Sequence, residues 1–388
     1  MNDYEPVARL AAATAGLDPP LAALDLAALR RNADALTRRA GGTGIRIASK
    51  SVRCRWVLRN ILDRQGFSGV MGYSLAEACW LVRQGFTDIL LGYPTADRAG
   101  LRELAGDRQL LREITLMVDD LAQLEFVRRV VGEPAQPIRI CLDVDASLRI
   151  RRLHLGVRRS PVRTPAEAVA FAERVGPGFS LVGVMMYEAQ IAGVPDSSPA
   201  VGQVKRRSAA ELSTRRTEVV QAVRAAGAQL EFVNCGGTGS LEISAADPSV
   251  TEVTAGSGLY HPALFDGYRA NACEPAMFFA LPVVRRPAAE VATLFSGGYV
   301  ASGPAGRSRL PRPVTPGLSL LGTEGAGEVQ TPVRGPGARQ LRIGDAVWFR
   351  HAKAGELLER FDQVQLVDAD GRLAEPVPSY RGEGKNFG

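Results

Sequence analysis

Eight short apolar runs, separated by longer stretches of helical period, constrain this chain more than any other feature. The runs are "IRIAS", "GVMGYS", "DILLGY", "ITLMVD", "IRICLDV", "FSLVGVMMY", "FVNCGG" and "VTEVTAG". Brief runs rich in Val, Ile and Leu, bounded by Gly, Asp or Asn, read as strands buried on both faces. Between them lie "LAALRRNADALTRRA", "SLAEACWLVRQG", "DDLAQLEFVRRVV", "TPAEAVAFAERV" and "SAAELSTRRTEVVQAVRAAG", whose apolar positions recur every three or four residues. Such βα units from Leu21 to about Ser257 predict an α/β fold, a (β/α)8 barrel of residues 21–270. A doubly wound sheet has fewer strands and a Gly-rich first turn, and "LDLAAL" is no such turn.

Beyond about Glu274 helices vanish, and short β-branched runs alternate with Pro and Gly: "MFFALPVVRR", "AEVATLFSGGYVAS", "EVQTPV", "DAVWFRHAK" and "FDQVQLVD". That texture predicts a second, C-terminal β-domain of residues 271–388, joined by residues 1–20. "VRRPAAE" and "VRGPGARQ" read as its surface turns, and the tail "PVPSYRGEGKNFG" as a segment that frays or lies over a neighbouring surface.

Several function classes drop out. The chain's 47 Lys and Arg residues give a net charge of +6 but are spread along it, so "LRRN", "KRRS" and "RIRR" read as solvated faces or anion contacts, and no nucleic-acid partner is expected. No apolar run approaches the roughly 18 residues a membrane span needs, and "MNDYEPVARLAAATAGLDPP" lacks the basic and apolar regions of a signal peptide. The five cysteines show no metal-ligand spacing and read as reduced, mostly buried thiols of a cytoplasmic protein.

In such a barrel the chemistry sits at the C-terminal ends of the strands. The residues there are Lys50, Tyr73, Tyr93, Asp119, Asp143, Tyr187, Glu188, Gln190, Asn234, Thr238, Gly256 and Ser257. Lys50 stands where a lysine forms a Schiff base with an aldehyde, although one paired with Asp143 or Asp145 would be structural. Tyr73 and Tyr93 read as core tyrosines with wet hydroxyls. After the two last strands come "NCGGTGS" and "AGSG", glycine turns whose backbone N–H groups can close on a phosphate with Thr238 donating its hydroxyl. A phosphate cradle facing an imine-forming lysine describes a site for pyridoxal 5′-phosphate.

"IASKS", "NCGGTGS" and "TEVTAGSGLYHPALFDGY" resemble the lysine strand and phosphate turns of the fold-type III pyridoxal-phosphate enzymes. The motif order and closing β-domain resemble the D-threonine aldolase and D-serine dehydratase branch, with its alanine racemase-type barrel, from about Leu21 to Asp368. The resemblance implies Lys50 as the cofactor's Schiff-base lysine, and Gly237, Thr238, Gly239, Gly256, Ser257, Gly258 and Leu259 as its phosphate contacts. It places Tyr187 and Gln190 beside the ring, and His154 of "HLGV" where relatives carry an arginine in an RxG pattern. It also implies a head-to-tail homodimer with His351 and Lys353 acting across the interface.

The branch further implies a divalent metal held by a histidine and an acid or cysteine two positions on. Here "FRHAKAGE" has His351 followed by Lys353, whose ammonium has no lone pair for a cation. The expectation is therefore no metal, with Lys353 in its space, or else a shifted site of His351 and Glu356. His351 and Lys353 are then the candidates for handling a substrate's β-hydroxyl, Lys353 lowering the pKa of His351. Hydroxide leaves best with a Lewis acid, whereas aldol cleavage needs a base, so the resemblance implies retro-aldol cleavage of a β-hydroxy D-amino acid ahead of dehydration. Racemisation and a non-catalytic cofactor carrier follow. His154, His261 and His351 also each have a purely structural reading.

Overall fold

The computed structural model describes residues 4–195, 198–268 and 272–388. All eight apolar runs become strands of one closed parallel barrel: Gly44–Ala48, Phe67–Gly72, Ile89–Leu91, Ile114–Val118, Ile138–Asp143, Phe179–Met186, Phe232–Cys235 and Glu252–Ala255, the last returning to pair with the first. The helices expected between them form, and their local signals explain where they start. Asp25 accepts from the Ala27 and Ala28 amides at 2.9 and 3.0 Å to begin the Leu26–Arg39 helix. Asp120 and Thr164 open two others through reciprocal capping with Gln123 and Glu167. The five cysteines are buried and form no disulfide with one another. No helix among the described residues is long and apolar enough to cross a membrane.

The C-terminal strands build a second, mostly antiparallel sheet around Met277–Ala288, which pairs with Val291–Phe295 and Ala346–Arg350. One strand of that sheet comes from the start of the chain. Leu21–Asp25 runs antiparallel to Met277–Ala288 and parallel to Gln363–Val367, so this strand belongs to the second sheet. The Tyr4–Ala13 helix lays Val7 and Leu10 on the same sheet, against Ala23, Phe278 and Trp348. "VRRPAAE" carries the long strand to Ala288 through two register irregularities, and the turn it was expected to make is confined to Ala289 and Glu290. The C-terminal tail lies on the barrel: Tyr380 is buried, its hydroxyl donates to Glu77 at 3.0 Å, and its ring meets Trp80 edge-on at 5.0 Å.

Candidate active site

The Gly44–Ala48 strand ends in a tight 3-10 turn, Ser49–Ser51, that aims Lys50 into a cavity of about 630 Å³ at the barrel mouth. Ser49 anchors the turn by donating to the Met71 carbonyl at 3.0 Å, and the Ser51 hydroxyl lies 3.1 Å from that of Ser257. The Lys50 ammonium donates to the Tyr93 hydroxyl and lies 5.1 Å from the Tyr93 ring centre. Tyr93 is thus a wall of the site and not the core tyrosine expected. Nor does Lys50 pair with an aspartate: Asp145 is held by Ser147, Arg149 and Arg163. Asp143 is buried with no ion-pair partner among the described residues, and burial, followed by the neighbouring Asp119, pushes its pKa up to about 7.

Arg159 places its guanidinium 5.6 Å from the Tyr93 ring centre and 5.4 Å from that of Tyr187. Tyr187 is half-buried, lines the cavity, and has its pKa pushed up to about 12, chiefly by burial. Two expected neighbours lie elsewhere. His154 belongs to a two-stranded hairpin, with Nε2 3.2 Å from the Val157 carbonyl, and does not line the cavity. Gln190 is buried and donates to the Ala146 carbonyl and Ser208 hydroxyl at 2.7 and 2.8 Å, so its amide is committed to the scaffold. Arg159, five residues beyond His154, is the cation that reaches the mouth.

The two glycine turns meet beside Lys50. Gly237, Thr238, Gly256 and Ser257 line the cavity, and the Thr238 hydroxyl ties the turns together by accepting from the Gly258 amide at 3.0 Å. The first turn is pinned from behind by Glu188, a carboxylate only 1% exposed. Glu188 accepts from Ser240 at 2.6 Å, Ser244 at 2.5 Å and the Gly236 amide at 3.3 Å, with Arg216 3.6 Å away. Among the described residues the amides of Thr238, Gly239 and Ser257 donate no hydrogen bond, leaving them available to an anion. Gly239 and Gly258 stand just behind the lining: a Cβ on Gly239 would run into the Ala192 carbonyl, and one on Gly258 would lie 2.9 Å from Leu36 and Thr238. Leu259 is spent on structure, its amide donating to Gly256 and its carbonyl accepting from Asn32.

The second domain supplies the remaining wall with Ser302, Gly303, Ser308, Arg309, Lys353 and Glu356. Contact is close enough that a Cβ on Gly355, at φ +83°, would overlap the Lys50 carbonyl. Lys353 therefore shares a cavity with Lys50 of its own chain. Its ammonium donates to Ser302 at 2.5 Å and sits 3.6 Å from Glu356. His351 is 3% exposed and lines a smaller adjoining cavity of about 330 Å³, behind Lys353. Neither ring nitrogen has a well-formed hydrogen bond, and burial, then the Arg350 guanidinium, pushes the pKa down to about 3. Burial and Arg350, rather than Lys353, thus keep this imidazole neutral.

A divalent ion does not fit the residues present. Lys353 offers no lone pair, and the Glu356 carboxylate already accepts from the Ser302 amide at 2.9 Å. Among the described residues no three His, Cys, Asp or Glu side chains gather as a ligand set.

Comparison with known proteins matches this geometry to a family. The chain is 26% identical over 298 residues to the D-threonine aldolase of Arthrobacter sp, covering 73% of this chain and 72% of that one. It is 24% identical over 389 residues to the D-threo-3-hydroxyaspartate dehydratase of Delftia sp. (strain HT23), covering 92% and 96%. The fold superposes on the crystal structure of D-threonine aldolase from Filomicrobium marinum with a TM-score of 0.76 at 23% identity, over 94% of this chain and 96% of that one. Residues 24–263 match the family described as alanine racemase, N-terminal domain, and with that match spanning the whole barrel the chain belongs to that family.

Proposed function

We propose that this chain is a pyridoxal-phosphate-dependent lyase that cleaves a β-hydroxy D-amino acid to glycine and an aldehyde. The observation that carries the reading is that Lys50, both glycine turns and Lys353 open into one cavity. A size of about 630 Å³ suits a cofactor with a small substrate. The cradle also fits a phosphate: the amides of Thr238, Gly239 and Ser257 donate no hydrogen bond among the described residues, and a Cβ on Gly239 or Gly256 would press on neighbouring backbone and displace the turns.

In this reading Lys50 holds the cofactor covalently, Thr238, Gly239 and Ser257 with Gly237 and Gly256 receive the phosphate, and Tyr187 and Arg159 border the ring. When bound, pyridoxal 5′-phosphate supplies an electron sink for a bond broken at the substrate Cα. The Lys50 amine, held over the site by the Tyr93 hydroxyl, would be the group placed to give or take a proton at the substrate Cα. Lys353 would orient the β-hydroxyl, and the Glu356 carboxylate, 3.6 Å from the Lys353 ammonium, would accept its proton. His351, sealed behind Lys353, keeps that wall in place instead of touching substrate.

A second reading, dehydration to a 2-oxo acid, is favoured by the dehydratase relative that aligns along 92% of the chain. Both readings include two units, 21–270 and 271–388 with 1–20, that exchange the Leu21–Asp25 strand, and a homodimer in solution. Reconstituted protein incubated with D-threonine, D-serine and 3-hydroxyaspartate, with and without chelator, tests them. Aldehyde and glycine, unaffected by chelator and lost in Lys50→Ala, are expected. Oxo acid without aldehyde replaces the first reading by the second, and no cofactor absorbance band in wild-type protein overturns both.

A further inference from the structure

We infer that the β-domain wall carries a subsite for a second carboxylate, so that the preferred substrate is an acidic β-hydroxy amino acid with Arg309 receiving its distal group. The inference rests on the lyase reading and adds the chemistry of the side chain to it. Among the described residues five cations line the cavity, Lys50, Arg53, Arg159, Arg309 and Lys353, against the one carboxylate of Glu356. Two of them are already matched: Arg53 pairs with Glu359, and Lys353 with Glu356. Lys50 is committed to Tyr93 at the barrel end.

That leaves two guanidinium groups of different kind. Arg159 is spread over the tyrosine rings of the barrel mouth, where a substrate's α-carboxylate or a ring oxygen would be met. Arg309 belongs to the other domain and has no carboxylate partner among the described residues, and its Nε is buried with no hydrogen bond. A half-buried guanidinium left with open donors at a cavity wall is costly unless an anion completes it. Its position is also built. Gly303 adopts φ +116°, and a Cβ there would lie 3.2 Å from the guanidinium carbon and two of its nitrogens, so the plane rests on bare backbone. The Ser302 and Ser308 hydroxyls line the same wall. A planar guanidinium fork matches a carboxylate in two-point contact, and a methyl group offers it nothing.

The test compares D-threonine with 3-hydroxyaspartate, in which a carboxylate replaces the methyl, by following substrate loss with reconstituted wild type, Arg309→Gln and Arg309→Lys. Wild type is expected to favour the diacid in kcat/KM by about 10- to 100-fold, the worth of one charge-assisted pair. Arg309→Gln should bring the ratio near unity by raising KM for the diacid, and Arg309→Lys should restore part of it. A binding arm needs no turnover: malate should bind wild type more tightly than lactate, and Arg309→Gln should erase the difference. A wild-type preference for threonine, or a ratio that survives Arg309→Gln, overturns the inference. If neither amino acid reacts, the lyase reading falls, and equal binding of malate and lactate then overturns this inference as well.

Discussion

The Lys50 ammonium donates to the Tyr93 hydroxyl, joining the end of one barrel strand to the loop after another across the cavity mouth. The bond holds a four-carbon side chain with many rotamers in one direction. Tyr93→Phe keeps the ring under Lys50 and Arg159 and removes only the oxygen. We expect kcat to fall about 10- to 100-fold, with the melting temperature shifted by no more than a few degrees, as steady-state kinetics and thermal melts will check. Unchanged kcat would make Tyr93 a mere wall.

Gly256 faces the Lys50 turn so closely that a Cβ would lie 2.7 Å from the Ala48 carbonyl and 2.9 Å from the Ser51 Cβ. A carbonyl and two Cβ atoms, each fixed to the backbone of that turn, leave nothing that can yield. Gly256→Ala should therefore pry the phosphate turn from the lysine turn and loosen the cofactor. Cofactor content after dialysis, read from absorbance, should drop at least tenfold relative to wild type. Full retention would mean that the cradle lies elsewhere.

Glu77 is fully buried between the Tyr73 amide, 2.8 Å from Oε2, and the Tyr380 hydroxyl, and burial pushes its pKa up to about 7. Asp143 is raised to the same region. A carboxyl with a raised folded pKa binds more protons folded than unfolded between its ordinary value and 7, so stability falls as pH rises through that window. The change is on the order of 3 kcal/mol for each group. Denaturant unfolding should show wild type losing stability from about pH 5 to pH 7, and Glu77→Gln should flatten part of that slope. A stability that rises across the window contradicts the assignment.

Lys353 occupies the position two residues beyond His351, and its ammonium bars a cation there. Lys353→Ala should lower kcat about 100-fold or more if the ammonium orients the hydroxyl. Lys353→Asp places a carboxylate next to the neutral His351 imidazole. We expect that variant to gain activity with added Mn²⁺ or Zn²⁺ and to lose it to chelator, while wild type responds to neither. Chelator inhibition of wild type would show a ligand set beyond these residues.

The strand ends were legible because a parallel barrel writes itself locally. Each strand is buried on both faces and so reads as a continuous apolar run, and its last residue must turn out of the layer at the chemical end. Lys50, Thr238, Gly256 and Ser257 follow from that rule alone. Arg159 did not, because "HLGVRRSPVR" offers several arginines within ten residues and only the loop path decides which one reaches the mouth. His154 carried the expected spacing but was drawn into a hairpin. Gln190, polar at a strand end, was taken by a carbonyl and a hydroxyl behind the site.

The sequence by itself determined the barrel, the β-domain, the lysine and the glycine turns, since periodicity and turn chemistry act between neighbours in the chain. Tertiary structure alone decided three things. "LAALD" has the composition of a helix, yet it is a strand because the edges of Met277–Ala288 and Gln363–Val367 leave one gap for it, some 250 residues away at the nearer edge. Tyr93 is a partner of Lys50 because the barrel sets their two strand ends near each other, and Lys353 is a wall of the same cavity because the second sheet packs on the barrel. Arg309 lies 259 positions from Lys50 in the chain, and no local pattern links them. Contacts at such separation depend on where whole layers pack, and the energies that set that packing are sums over surfaces rather than properties of any short stretch.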